Sequence, residues 1–284
     1  MAVTAQQESV HLLPTRIGTL HVRIIGHGPV AVLWHSLFID SRNWCHVEEA
    51  LAQQRTLVMI DGPSHGGSEP ARRPFTLADC AAAAEEVIGQ LGMAMPVDWV
   101  GNAWGGHVGL VFAAGRPDRV RSLVMIANPV HALSPAERRR SALLVGLYRI
   151  LGARRFLRAA VLDAMLTPAV RNAQPQTAEL ITDVLRHADR RGFVLTMRSI
   201  MLNRPDLTHL LPQITAPTLV VAGGDDAMWT AENTAAAAGR LPHGQAVTIP
   251  GTRHLPPLEA PDEVLRLVTG AWAAASEART PESG

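Results

Sequence analysis

Residues 99 to 107 read WVGNAWGGH, and this stretch has the glycine spacing of a sharp turn between a strand and a helix. A turn with the pattern G-x-nucleophile-x-G exposes its central side chain at the tip, where a serine can attack a substrate carbonyl. Here the central residue is Ala103, between Gly101 and Gly105, and its methyl group has no nucleophilic atom. The stretch predicts the geometry of a catalytic turn without the group that would attack.

Two later motifs carry residue types suited to acid–base chemistry. Asp226 ends the sequence GGDD after an apolar run, with Asp225 as the nearby alternative, and His254 lies in GTRHLP. A carboxylate that accepts a hydrogen bond from a histidine ring fixes its tautomer and stabilises its protonated form. The chain order 103, 226, 254 is the order of nucleophile, acid and base in a known hydrolase family that these motifs resemble, and the resemblance implies that Asp226 and His254 work as a pair. An ordinary loop carboxylate and a surface histidine are the alternative interpretation.

The apolar runs that precede these motifs are short and rich in branched side chains, as is typical of parallel strands buried on both faces. They occupy residues 30–36, 55–61, 96–102, 121–128 and 217–224, with an edge strand at 19–25 and a last strand at 246–251. Helices lie between them. Thr76 with Asp79, and Ser134 with Glu137, have the spacing of helix-capping pairs.

Residues 131–212 interrupt this alternation, because they have helical character and no convincing strand. The sequence therefore predicts an α/β fold, a doubly wound and mostly parallel sheet with an inserted helical cap. The core would comprise residues 1–130 and 213–275, the cap 131–212, and a frayed tail 276–284. Leu, Val and Met side chains on the arginine-rich cap helices, with Tyr148 and Phe193, either line an apolar pocket or pack the cap onto the core.

The motifs in this order resemble the α/β-hydrolase fold superfamily, and in particular its cap-bearing branch of esterases, lactonases and carbon–carbon bond hydrolases. The resemblance extends over roughly residues 18 to 274. It implies an oxyanion hole made by the backbone N–H groups of Leu37 and Trp104. The dehalogenases and epoxide hydrolases of this branch need an aspartate where this chain has Ala103, so neither activity is supported.

The resemblance also implies the residues that surround the substrate. His35 matches the histidine that shapes the oxyanion loop, and Ser36 stands where the family more often has glycine. The Ser36 hydroxyl either caps the chain locally or points into the pocket. Phe38, just after the oxyanion residue, and Trp229, just after the acid, are candidates for the pocket wall.

Four explanations of Ala103 remain open. The alanine replaces a serine in an engineered, substrate-trapping variant; or it is native and His254 activates water as a general base. The chain could instead be a binding protein that has lost its chemistry, although it would then have no need of Asp226 and His254. The last and weakest class is a cofactor-free oxygenase or lyase that uses the histidine as its base. We predict a hydrolase of a small, largely apolar ester, lactone or activated ketone.

Composition excludes several other classes. The chain has a formal net charge of +1 and no lysine, which rules out Schiff-base and phosphate-loop lysine chemistry and favours neither nucleic acid nor membrane as a partner. The basic run Arg138–Arg140 is interpreted as a solvated helix face.

Two cysteines without CxxC spacing and 12 histidines without HExxH predict neither a metal nor a cofactor site. The N-terminus lacks a signal-peptide pattern, so a cytoplasmic protein with a small-molecule substrate is expected.

Overall fold

Eight strands form one sheet in the computed structural model, which describes residues 8–277. In chain order they are β1 (Ser9–Thr15), β2 (Gly18–Gly26), β3 (Val30–Trp34), β4 (Thr56–Ile60), β5 (Val97–Asn102), β6 (Val120–Ile126), β7 (Thr218–Gly223) and β8 (Gly244–Ile249). Their spatial order is β1-β2-β4-β3-β5-β6-β7-β8. Strands β1 and β2 pair antiparallel, β2 pairs antiparallel with β4, and the remaining pairs are parallel. The predicted doubly wound, mostly parallel sheet is confirmed.

The strand predicted at 19–25 is present as β2, but it does not lie at the edge of the sheet as predicted. Strand β1 lies outside β2 and pairs with it from Ser9 opposite Ile24 to Thr15 opposite Gly18. Val10 and Leu12 are exposed on β1. A strand that covers only one edge and buries little apolar surface leaves a weak sequence signal, which explains why it was missed.

Eleven α-helices lie within residues 8–277. They are α1 (Glu48–Ala52), α2 (Leu77–Gln90), α3 (Trp104–Gly115), α4 (Pro135–Leu151), α5 (Arg155–Met165), α6 (Pro168–Ala173), α7 (Pro175–His187), α8 (Arg190–Met197), α9 (Ala231–Ala238), α10 (Pro256–Glu259) and α11 (Pro261–Glu277). The predicted capping pairs are both present, at Thr76 with Asp79 and at Ser134 with Glu137. None of the described helices combines the length and apolarity needed to cross a membrane.

Helix α11 corrects the predicted tail. It continues through residues 276 and 277, where the Ser276 hydroxyl donates to the carbonyl of Trp272 at 2.8 Å. Trp272 is buried against the sheet, so the helix is held down close to its end. The rest of the predicted frayed tail, 278–284, lies outside the described residues.

Helices α4 to α8 follow one another between β6 and β7, and a π-helical turn at Arg198–Leu202 closes the series. They occupy part of the range 131–212 predicted as a cap. Phe193 of α8 is buried between the two layers, with its ring 6.2 Å from that of Phe38 and 5.0 Å from that of His65. Aromatic contacts of this kind hold the helical layer onto the loops at the carboxyl ends of the strands.

Candidate active site

The turn at Ala103 joins β5 directly to α3 with a strained backbone. Ala103 has φ 46° and ψ −100°, a positive φ that residues with a Cβ rarely adopt. The flanking glycines are needed for close approach: a Cβ on Gly105 would lie 1.8 Å from the carbonyl oxygen of Trp34, and one on Gly101 would lie 2.1 Å from the carbonyl carbon of Gly105. The predicted strand–turn–helix geometry is therefore present, with a methyl group at its tip.

Asp226 and His254 meet at the carboxyl end of the sheet. Asp226 Oδ2 is 2.8 Å from His254 Nδ1, and both side chains are buried. The other oxygen, Asp226 Oδ1, accepts from the backbone N–H of Met228 at 2.8 Å. Asp225 is exposed and contacts this region only through its backbone N–H, which donates to Thr252. Of the two adjacent carboxylates, Asp226 is the one that the fold brings to the histidine.

The second ring nitrogen of His254 is available for chemistry. No hydrogen bond within residues 8–277 involves its Nε2 atom, while Nδ1 is held by Asp226. With Nδ1 protonated and facing a carboxylate, Nε2 carries the lone pair of a general base. His254 and Ala103 are each only 5% exposed, so this base lies in a closed environment.

Asn102 ties the histidine loop to the sheet, a role that the sequence analysis did not identify. Its side-chain amide donates to the carbonyls of His254 and Ile126, both at 3.1 Å. The backbone N–H of His254 donates to Met165 in the helical layer, at 3.2 Å. The signal in the sequence was a polar residue at the carboxyl end of a buried strand.

The backbone N–H groups of Trp104 and Leu37 have no acceptor in the described part of the chain. Trp104 is the first residue of α3, where helix geometry leaves N–H groups unpaired and favourable to negative charge. The N–H of Leu37 is likewise without an acceptor, while its carbonyl is 2.5 Å from His65 Nε2. These are the two groups predicted for the oxyanion hole.

His35 and His65 contact the loop that carries Ser36 and Leu37. His35 Nε2 accepts from the backbone N–H of Gly62 at 2.8 Å, and Nδ1 donates to the carbonyl of Ser36 at 2.6 Å. Burial lowers the pKa of His35 to about 4, so the ring is neutral at ordinary pH. Both ring nitrogens are hydrogen-bonded to backbone groups, so His35 holds the loop at Ser36, and its contact with a substrate remains a prediction.

His65 lies between two carbonyls, with Nδ1 2.9 Å from Pro63 O and Nε2 close to Leu37 O. Burial also lowers the pKa of His65, and a neutral ring can donate to only one of these acceptors at a time. The sequence analysis did not assign this residue to the site, and its contact with Leu37 is between parts of the chain that are distant in sequence.

The remaining predicted contacts line the boundary between the sheet and the helical layer. Ser36 Oγ is buried and has no hydrogen-bond partner among the described residues, so this hydroxyl makes no local capping hydrogen bond. Phe38 faces Phe193, and the buried ring of Trp229 stacks on His131 at 5.8 Å. Whether these three residues contact a substrate remains a prediction.

Cavities within residues 8–277 include two at this boundary, and neither of these is lined by Ala103 or His254. A crevice with a free volume of about 10 Å³ runs between α4 and α5 and reaches Phe38. A wider polar cleft of about 450 Å³ lies between the loops at Asp40 and Ser64 and the end of α7 at His187. Ala103 and His254 are each only 5% exposed, so little of either residue is open to solvent in this conformation. No cluster of three or more potential metal ligands occurs within residues 8–277.

The chain is similar in sequence to known proteins over most of its length. Residues 27–267 match the alpha/beta hydrolase family. The chain is 31% identical over 255 residues to a pimeloyl-[acyl-carrier protein] methyl ester esterase of Xanthomonas oryzae pv. oryzae, covering 86% of this chain and 95% of the relative. A protein of the same name from Stenotrophomonas maltophilia is 32% identical over 265 residues, covering 86% and 93%.

Solved structures share the fold. The enol-lactonase of Burkholderia xenovorans LB400 superposes with a TM-score of 0.84 at 24% identity, covering 93% of this chain and all of the other. A thermophilic esterase of Thermogutta terrifontis superposes with a TM-score of 0.83 at 24% identity, covering 95% of this chain and 99% of the other. At this identity the structural likeness establishes the fold alone.

Proposed function

The chain belongs to the alpha/beta hydrolase family, and from this premise we propose that it hydrolyses a small, largely apolar carboxylic ester or lactone with water activated by His254. The observation that carries the proposal is the 2.8 Å contact between Asp226 Oδ2 and His254 Nδ1 beside a turn whose tip is Ala103. When Asp226 holds Nδ1 in this way, Nε2 is left to accept a proton from water. Ester hydrolysis is also the activity in the name of the pimeloyl-[acyl-carrier protein] methyl ester esterases.

The reaction proceeds without a covalent enzyme intermediate. A water molecule, in the space that a serine oxygen would occupy, gives a proton to His254 Nε2 as its oxygen bonds to the substrate carbonyl carbon. The negative charge on the carbonyl oxygen is held by the N–H groups of Leu37 and Trp104. The carbon–oxygen bond to the leaving group then breaks, and the alkoxide takes the proton from His254. The products are the carboxylic acid and the alcohol, and the histidine is neutral again.

The expected rate is low compared with that of a serine enzyme. Where a serine hydrolase loses a member of its triad, the oxyanion hole and substrate binding still leave about 10³–10⁴-fold acceleration over water. Phe38 packs near Phe193 and borders an apolar crevice between α4 and α5, which supports an apolar acyl chain in the substrate.

The test compares hydrolysis of p-nitrophenyl butyrate by the protein and by His254→Ala, Asp226→Asn and Asp225→Asn. We expect His254→Ala to abolish turnover and Asp226→Asn to reduce it strongly, while the exposed Asp225 variant retains it. The protein should resist fluorophosphonate labelling, and intact mass should show no acyl adduct. Turnover that survives His254→Ala contradicts the mechanism, and no turnover with any ester would favour a binding protein.

Ala103→Ser tests whether the turn can support a serine nucleophile. If the pocket is arranged for acyl transfer, the serine variant should label with a fluorophosphonate and hydrolyse the ester about 10² times faster or more. This result would also fit a chain in which alanine has replaced a catalytic serine. If serine neither labels nor accelerates, the site is specialised for a reaction without an acyl-enzyme.

A further inference from the structure

The helical hairpin α4–α5 presents an unpaired apolar face on the outside of the molecule. Leu143 is 63% exposed, Ile150 72% and Phe156 54%, and Leu151 is also exposed. Leu143 and Ile150 are seven residues apart, so they share one face of α4, opposite the buried Val145 and Tyr148. Seven large apolar side chains are exposed within residues 8–277, and four of them lie on this hairpin.

The same hairpin concentrates positive charge. Between Pro135 and Met165 the chain has seven arginines and two acidic residues, Glu137 and Asp163, a net charge of +5 in a protein whose total is +1. The remaining residues therefore carry a net charge of −4. Arg139 and Arg140 are exposed and lie one turn before Leu143 on the outward face of α4. The near-neutral charge of the whole chain conceals this separation.

We propose that this outer face of α4 and α5, which we call the hairpin face, docks the protein on an anionic lipid surface. An amphipathic helix with exposed large apolar side chains beside arginines is suited to the boundary between headgroups and acyl chains. Arginine guanidinium groups pair with lipid phosphates, while the apolar side chains enter the layer beneath.

A second copy of the chain is a poorer occupant of the hairpin face. A twofold interface would place each patch against its own copy, so the arginines of one protomer would face those of the other. An acidic protein could pair with the arginines. Such a contact would not by itself account for apolar side chains as exposed as Ile150. The combination of arginines and exposed apolar side chains on the hairpin face favours the lipid surface.

The position of the hairpin face also connects it to the site, a link that rests on the proposed function. The narrow crevice that reaches Phe38 is formed by residues of both helices, including Leu144 and Tyr148 from α4 and Leu157 and Val161 from α5. Insertion of the outer face would hold these helices at the lipid boundary and bring the crevice to a source of apolar esters. The docking itself requires no catalysis.

The test is flotation of the purified protein with vesicles made of equal parts phosphatidylcholine and phosphatidylglycerol, compared with vesicles of phosphatidylcholine alone. We expect binding to the anionic vesicles that weakens as salt is added. Leu143→Gln with Ile150→Gln should reduce it about tenfold, and Arg139→Gln with Arg140→Gln about thirtyfold. The matched controls are Leu12→Gln, an equally exposed leucine on β1, and Arg72→Gln; both should bind as the parent does.

Soluble poly-glutamate serves as the competing probe, and urea denaturation without vesicles checks that each variant is folded. No flotation, or flotation that the hairpin variants do not weaken, overturns the proposal. Binding of poly-glutamate to the hairpin face without binding to vesicles also overturns it and indicates an acidic protein partner. Because flotation does not depend on turnover, a failed esterase assay leaves this result interpretable.

Discussion

The side-chain amide of Asn102 lies 3.1 Å from the carbonyl oxygen of His254, a contact between residues 152 positions apart in the chain. Asn102 is the last residue of β5 and precedes Ala103, so the turn that carries the tip residue also holds the loop that carries the base. The two halves of the site are therefore fixed to each other and not only to the sheet. This makes Asn102 a positioning residue.

Asn102→Ala should lower kcat about tenfold with little change in KM, which corresponds to about 1.4 kcal/mol of transition-state stabilisation. The reason is that His254 loses its anchor while the substrate-binding residues stay in place. Steady-state kinetics with p-nitrophenyl butyrate measures both constants. Asp79→Ala is the control, because it removes the capping box of α2, which is made with Thr76 and leaves the contact between Asn102 and His254 untouched, and it should lower stability without changing kcat. Equal effects of the two variants on kcat would contradict the positioning role.

Gly105→Ala should be strongly destabilising, by about 3 kcal/mol or more. The added Cβ would lie 1.8 Å from the backbone oxygen of Trp34, and β3 and α3 cannot both keep their positions. Gly146→Ala in α4 meets nothing within 4 Å and should raise the free energy of unfolding by about 0.4–1 kcal/mol. Urea denaturation of both variants decides the matter, and a Gly105→Ala protein as stable as the parent would show that the turn is not closely packed.

Asp98→Asn tests a buried charge cluster at the opposite end of the sheet. The carboxylate is fully buried and accepts from Arg55 Nε at 2.7 Å, Arg121 Nη1 at 2.9 Å and Ser122 Oγ at 2.7 Å. Removing its charge leaves two arginines without a counter-ion, at a cost of about 3–5 kcal/mol in the free energy of unfolding. Asp118→Asn, at an exposed surface position, should change it by less than about 0.5 kcal/mol. Denaturant midpoints of both variants provide the comparison.

His21 and Asp61 make stability depend on pH. Their side chains are 2.8 Å apart, and the hydrogen bond to Asp61 raises the pKa of His21. Burial opposes ionisation of Asp61, but the hydrogen bond from His21 and the neighbouring histidines and backbone N–H groups outweigh it and lower its pKa. The stabilisation from His21 is complete below its ordinary pKa of 6.5 and is lost as the pH rises through its folded value. The contribution of Asp61 is present above 3.8 and is lost as the pH falls through its folded value.

His21→Gln should therefore cost more stability at a pH of about 5.5 than at about 8.5. The free energy of unfolding, measured by urea denaturation at both pH values for parent and variant, gives the difference. His46→Gln changes an exposed histidine close in the fold to α1 and should leave the pH dependence as it is in the parent. A cost that is the same at both pH values would mean that the His21 charge does not contribute.

Local patterns in the sequence determined much of this protein. The glycines around Ala103 predicted the turn, because only a residue without a Cβ permits the close approach of β3 and α3 seen at Gly105. The capping pairs at Thr76 and Ser134 predicted where α2 and α4 begin, since a cap depends on residues three positions apart. Each of these signals is contained in a few consecutive residues.

The tertiary structure decided what depends on residues far apart. Asp226 and Asp225 are chemically identical, and only the path of the chain after β7 buries one against His254 and exposes the other. The same is true of Asn102, whose partner lies on another loop, and of His35, whose nitrogens are taken by backbone groups that the fold brings to it. The hairpin face is likewise a property of packing, because exposure on one side of α4 follows from burial on the other.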